Sequence, residues 1–259
     1  MIAWTVLGSG THLPSARRAS PGHLAVAGER RFLFDCGPGT FHALARAGLA
    51  PERIDACFVT HLHPDHVSDL VPLLFRLRNL VKEKGEGHAF PLAGPPGFGA
   101  FVRSLRLAHA PFLETENLRL SIHEGDTGVL RFGDATIRRA PVAHGLAALA
   151  YRIDCGEGGS AVYTGDTGRS AELVRLARGV TLLVIEAGVP EGRGDPFHLT
   201  PSGAARIAAE AGAKAMLLVH LDPEGDDADR AASCRDFFAG KVILAEDLLT
   251  VRAEGGEVL

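Results

Sequence analysis

Cysteine is scarce in this chain of 259 residues, and the four present, Cys36, Cys57, Cys155 and Cys234, lie far apart with no C-x-x-C pair among them. That spacing excludes a zinc site built from cysteines and offers no disulfide framework, so a reducing cytoplasm is the expected compartment. Long apolar runs are missing as well. No stretch reaches the length that spans a bilayer, and the start, MIAWTVLGSG, carries neither a basic leader nor a small-residue cleavage site. A surplus of one charge is also absent: 27 Lys and Arg against 31 Asp and Glu give a formal net charge of −4. Basic residues gather only in short runs such as Arg17-Arg18, so no long footprint for nucleic acid is visible, and an anionic substrate would be held locally.

What the chain does have is core material and a regular pattern. Hydrophobic residues make up 46% of it, ample for a large core. Short apolar, β-branched segments predict strands at Ile2 to Leu7, Arg31 to Phe34, Ala56 to Val59, Ala135 to Ala143, Ala161 to Tyr163, Thr181 to Ile185, Ala215 to Val219 and Val242 to Leu244. Helical spacing appears over Phe41 to Ala47, Val67 to Val81, Phe98 to Leu107, Ser170 to Ala177, Ser202 to Ala211 and Asp227 to Phe238. Turn signals at Ala27-Gly28 and Phe132-Gly133-Asp134 add back-to-back strands, which points to mixed sheets with helices outside them. No repeat, low-complexity linker or break in composition divides the chain, so residues 1–259 read as one domain.

Against that background the segment THLHPDHVSDL, residues 60 to 70, is unusual. His61, His63 and Asp65 are spaced by two, so an extended backbone would aim all three the same way, with His66 following at once. Further donors fall at comparable places: His144 after IRRAPVA, Asp166 after AVYTG and His220 after MLLV, each just past an apolar strand, as His61 is after CFVT. In sheets with helical crossovers that edge is where loops converge on ligands. A single histidine at a strand end is ordinarily a polar cap, and an Asp beside Gly an ordinary turn residue; the cluster of imidazoles at residues 61–66 is what lifts the others. Imidazole and carboxylate donors without thiolates suit zinc, manganese or iron, and a catalytic rather than a closed structural site. Seven donors exceed one tetrahedral ion but divide between two if one carboxylate bridges.

The H-x-H-x-D-H pattern of His61, His63, Asp65 and His66, followed in order by His144, Asp166 in YTGDTG and His220 in LLVHLDP, resembles the signature of the metallo-β-lactamase-fold hydrolases. More narrowly, LGSGTHLPS, FLFDCGPGT, LAGPPGF and FHLTPSGAARIAAEAG are similar to the ribonuclease Z branch. The resemblance covers nearly the whole chain. It implies an α/β fold, a four-layer αββα sandwich of two mixed β-sheets, with two divalent metal ions, zinc foremost, in a cleft at one edge. His61, His63 and His144 would hold one ion, and Asp65, His66 and His220 the other, with Asp166 and a hydroxide between them. Such a site keeps net positive charge, which suits a phosphodiester. Asp65 and His198 are the catalytic candidates. His198 precedes Thr200 and Pro201, a good helix start that would hold its ring in place, and it falls on an H-x-T motif resembling the branch's catalytic histidine.

The chain departs from ribonuclease Z proper in one respect. The long arm that grips transfer RNA in that branch is inserted between the counterparts of His144 and Asp166, which here are only 22 positions apart. The expected substrate is therefore a small phosphodiester or a single-stranded nucleic acid, with Arg17, Arg18 and Arg152 as candidates for phosphate contact. A homodimer is expected by resemblance alone, and the apolar row Leu70, Leu73, Leu74, Leu77 and Leu80 would serve such an interface or, more simply, the core. The competing functions are hydrolysis of an ester, thioester, lactone or lactam on the same fold, an iron oxidoreductase, and a non-catalytic metal-binding accessory role. The iron reading is disfavoured by His63, where a carboxylate would stand.

Overall fold

The structure, a computed structural model, describes residues 1–114, 116–156 and 159–259. Six strands come first, β1 (Ile2–Gly8), β2 (Gly22–Ala27), β3 (Arg30–Cys36), β4 (Ala56–Phe58), β5 (His88–Gly94) and β6 (Leu118–Glu124). Among them run the helices α1 (Thr40–Arg46), α2 (Pro64–Val67), α3 (Leu70–Lys84) and α4 (Phe98–Ala108). Then follow β7 (Gly128–Phe132), β8 (Ala135–Pro141), β9 (Leu149–Cys155), β10 (Ser160–Tyr163), β11 (Leu182–Glu186), β12 (Ala215–Val219), β13 (Lys241–Leu244), β14 (Thr250–Glu254) and β15 (Glu257–Val258). Interleaved with these are α5 (Ala171–Ala177), α6 (Pro201–Ala211) and α7 (Asp227–Arg235). The strands form two sheets, an eight-stranded one in the order β15-β14-β1-β2-β3-β4-β5-β6 and a seven-stranded one in the order β13-β12-β11-β10-β9-β8-β7.

Both sheets are mixed. In the first, β3 to β6 run parallel and β1, β2 and β14 pair antiparallel; in the second, β10 to β13 run parallel and β7 to β10 antiparallel. Side-chain alternation explains the layering. Phe32 and Phe34 of β3 enter the core between the sheets, whereas Leu33 and Cys36 face the helices of their own side. In β12, Ala215, Leu217 and Val219 enter the same central core while Met216 and Leu218 meet α6 and α7. Strands buried on both faces read as unbroken apolar runs, which is why β4, β11 and β12 were legible in the sequence. With α1 to α4 on one outer face and α5 to α7 on the other, the expected αββα sandwich is observed.

The chain's two tyrosines bind the sheets together at the site edge. Tyr151 of β9 donates to the carbonyl of Val59 at 2.8 Å, and Tyr163 of β10 to Asp35 Oδ2 at 2.8 Å. The leucine row of α3 belongs to the core: Leu70, Leu73, Leu74 and Leu77 pack in the cluster beneath the first sheet. The helix expected over Val67 to Val81 is present as α3 but begins at Leu70, after the separate turn α2 that ends at Val67. Asp69 N–H donates to the carbonyl of Cys36 and its carboxylate accepts from Phe41 N–H, so the backbone at Asp69 serves the β3–α1 loop instead of a continuous helix. Between His144 and Asp166 the hairpin partners β9 and β10 occupy about half of the 22 positions, and the remainder is too short for a long inserted arm.

Candidate metal centre

The donors reach one point from the ends of four strands and from one helical turn. His61 and His63 follow β4, and Asp65 and His66 come from α2, a single turn opened by Pro64 at its first position. The extended run expected from the spacing therefore stops at His63, and the helical turn sends Asp65 and His66 to a second group of donors. His144 follows β8, Asp166 follows β10 and His220 follows β12. Their donor atoms gather as two sets within 4.8 Å, one of His61, His63, His144 and Asp166, the other of Asp65, His66 and His220. Asp166 touches both: Oδ2 lies 3.6 Å from His61 Nε2, and Oδ1 3.4 Å from His66 Nε2 and 3.3 Å from His220 Nε2. Close backbone approach makes this possible, since a Cβ on Gly37 would sit 1.8 Å from the carbonyl oxygen of Asp65.

The outer partners decide which ring nitrogens face inward. His66 Nδ1 donates to Asp35 Oδ2 at 2.7 Å. The Thr60 hydroxyl gives its only proton to Asp35 Oδ2 at 2.8 Å, so at the 3.0 Å contact with His61 it accepts from Nδ1–H. His144 Nδ1 donates to the carbonyl of Phe197 at 3.2 Å. In all three rings the Nε2 lone pair is thereby left for the centre, the arrangement that orients histidine ligands. Asp35 is fully buried in left-handed backbone at φ 56, and besides these bonds it accepts from Thr60 N–H and Tyr163. His220 also sits at a positive φ of 55, backbone strain of the kind found where a side chain must be aimed.

His198 arrives on the loop before α6. Thr200 caps that helix, its side chain accepting from Gly203 N–H, and Pro201 opens it. His198 Nδ1 donates to Glu186 Oε1 at 3.0 Å, and its ring stacks on His220 with centroids 5.7 Å apart. Glu186, at the end of β11, is fully buried and accepts from the N–H groups of Thr167, Gly188 and Leu199 as well. Burial works against charging His198, but the bond to Glu186 and the charges of Glu186 and Asp166 outweigh it and raise its imidazole to about 9. Burial would likewise raise Asp166, yet the surrounding His220, His66 and His61 hold its carboxyl well below the ordinary range.

The arginines expected at a substrate phosphate are placed elsewhere. Arg18 is buried and engaged, bonding Ser9 Oγ, the carbonyl of Ala245 and both oxygens of Asp227. Arg152 faces the helical layer, where it bonds Asp154 and the carbonyls of Leu176 and Arg178 at the end of α5. Arg18 meets a carboxylate 209 positions away, and Arg152 meets Asp154 and two backbone carbonyls, so both are spent on the fold and not on the cleft. Arg17 is exposed beside Asp227, in a separate cavity with Arg46 and Asp247. Two residues that sequence reasoning passed over are Asp35 and Glu186. Each is a lone carboxylate ending an apolar strand at the same edge as Asp166, a signal available in FLFDC and LLVIEAG.

The donor set fits divalent ions. His66 Nε2, Asp166 Oδ1 and both ring nitrogens of His220 are buried without a hydrogen-bond partner among the described residues. An unmet buried polar group costs about 1–3 kcal/mol, and here several converge with lone pairs inward, which a cation relieves. Asp166 and His220 line a cleft of about 510 Å³ together with His63, Asp65, His12, Ser20 and His198.

Comparison with known proteins agrees with this chemistry. Residues 30–221 match the family model described as a Beta-lactamase superfamily domain. Over 282 aligned positions, 99% of this chain and 98% of the relative, the chain is 34% identical to a ribonuclease Z of Mycobacterium sp. (strain KMS). Among solved structures, it is similar to the metallo-beta-lactamase fold protein YhfI from Bacillus subtilis, with a TM-score of 0.81 and 25% identity over 96% of this chain and 98% of that one. The human short-form tRNase Z shares the fold at a TM-score of 0.79 and 23% identity, over 97% of this chain and 99% of that one.

Proposed function

Since the chain belongs to the beta-lactamase superfamily and, within it, to the ribonuclease Z family of metal-dependent hydrolases, we propose that it cleaves phosphodiester bonds of RNA at a two-ion centre, with zinc the foremost candidate. His61, His63 and His144 would hold one ion, Asp65, His66 and His220 the other, and Asp166 would lie between them. Bound there, divalent ions supply Lewis acidity toward a phosphoryl oxygen and make water nucleophilic near neutral pH.

The chain's own groups do the rest. Asp35, Thr60 and the Phe197 carbonyl hold the imidazoles in the tautomers that face inward. Asp65, on the cleft wall, is placed to orient the attacking water, and burial of the donors excludes bulk solvent. His198, charged and fixed through Nδ1 by Glu186, keeps Nε2 for the substrate and gives its proton to the departing oxygen. The His198–Glu186 pair is the observation that carries this reading, because a centre built only to bind metal has no use for an imidazole held beside it with a proton to give.

Without an arm to grip a folded transfer RNA, the open cleft suits a single-stranded end. The test is metal content and bis(p-nitrophenyl) phosphate hydrolysis for the wild type and Asp166→Ala. About two ions per chain with turnover in the wild type, both reduced in the variant, is the expected outcome. One ion or none, with no turnover after zinc or manganese is restored, would sink the two-ion reading.

A further inference from the structure

The chain is poor in aromatic residues, 13 Phe, 1 Trp and 2 Tyr, and most of the large rings are spent on the interior. Three phenylalanines are strongly exposed, Phe75 at 41%, Phe112 at 61% and Phe197 at 45%. Phe75 lies on α3 and Phe112 just beyond α4, both on the helical layer of the first sheet. Phe197 is different, for it stands at the metal centre itself. Its ring meets that of His144 edge-on, centroids 6.2 Å apart at 80°, and it lies over Gly145, where a Cβ would touch two of its ring carbons at 3.8 Å.

The ring is also held on a fixed backbone. Asp195 Oδ1 accepts from the N–H groups of Phe197 and His198 at 2.7 and 3.1 Å, and the Phe197 carbonyl takes the proton of His144 Nδ1. The carbonyl of Pro196 rests against Gly168, where a Cβ would come within 2.0 Å. These contacts all belong to the backbone, so none of them needs an aromatic side chain at residue 197. Leaving a phenyl ring half in water forfeits burial that an interior site would have rewarded, which is reasonable only if something covers it.

We propose that Phe197 is a stacking platform for the nucleobase beside the scissile phosphodiester, a positioning residue that favours nucleic acid over simple phosphodiesters. This rests on the RNA-hydrolase reading above. With its ring only 6.2 Å from that of His144, Phe197 lies within reach of a base next to a phosphate seated on the metal centre, and every base has a π-face, so the contact is tolerant of sequence. Stacking of this kind contributes roughly 5- to 100-fold in binding.

The test uses a short single-stranded RNA that the full-length, metal-loaded wild type cleaves, and the same RNA made abasic at each nucleotide flanking the cleaved bond in turn. Phe197→Ala is expected to raise KM for the intact RNA roughly 5- to 100-fold while lowering kcat far less. One abasic position should impose a similar loss on the wild type and no further loss on Phe197→Ala, and Phe197→Trp should restore the intact-RNA KM. Unchanged KM in Phe197→Ala, or losses that simply multiply, would overturn the proposal while leaving the hydrolase reading intact. A wild type that turns over bis(p-nitrophenyl) phosphate but cleaves no RNA would overturn the RNA reading and this inference with it.

Discussion

At the residue scale the two carboxylates Asp35 and Glu186 matter as much as the donors they support. Asp35 collects bonds from Thr60, His66 and Tyr163, so it ties both sheets to the ring that completes the second set of donors. Asp35→Asn should weaken metal binding by roughly 10- to 100-fold, read by titrating the apoprotein with zinc against a competing chelator. An affinity equal to that of the wild type would show that Asp35 serves the fold alone. Glu186 is the acceptor that fixes His198 and favours its charged form. His198→Ala should lower kcat roughly 100- to 10,000-fold with metal content intact, and Glu186→Gln should lower it in the same direction. If either variant kept its kcat at full metal loading, proton donation by His198 would be wrong. Neither carboxylate was singled out from sequence, because a lone Asp or Glu at a strand end takes its meaning from the partner it meets across the fold: Asp35 is 31 positions from His66 and 128 from Tyr163.

At the scale of elements, the start of α6 is the piece on which His198 depends. Thr200 supplies the N-cap and Pro201 the first helical position, a signal readable in the sequence and present in the structure. Thr200→Ala should cost about 1 kcal/mol, a melting temperature lower by roughly 2–4 °C, with a loss of kcat larger than the loss of metal. A drop in stability with kcat unchanged would mean that the cap does not govern the His198 ring. The break between α2 and α3 carries the opposite lesson. Apolar spacing predicts a helix from Val67, but the bonds of Asp69 to Cys36 and Phe41 lie where α2 and α3 part, and α2 forms its own turn carrying Asp65 and His66 toward the centre. Strands β5 and β6 escaped the sequence reading for a related reason, since β5 contains Pro91 and β6 alternates on a largely exposed face.

For the whole molecule, ions held at the proposed centre would cross-link the two sheets as well as serve catalysis. The centre's donors come from both sheets, and in the absence of cations several buried nitrogens and oxygens have no partner among the described residues. Ions that bind the folded state alone stabilise it by an amount that grows with their concentration, about 4 kcal/mol at a thousandfold excess over Kd. Chelation should therefore lower the melting temperature by several degrees and added zinc should restore it; a melting temperature indifferent to chelator would mean the ions do not join the sheets. By itself the sequence determined the fold class, the αββα layering and the seven candidate donors that the structure brings together, because two-sided strands write continuous apolar runs and because imidazoles crowded at strand ends stand out from them. Only the tertiary structure decided the roles of Asp35 and Glu186, the engagement of Arg18 and Arg152 away from the cleft, and the place of Phe197 beside His144. Those depend on which atoms meet across distances of chain that no local pattern records.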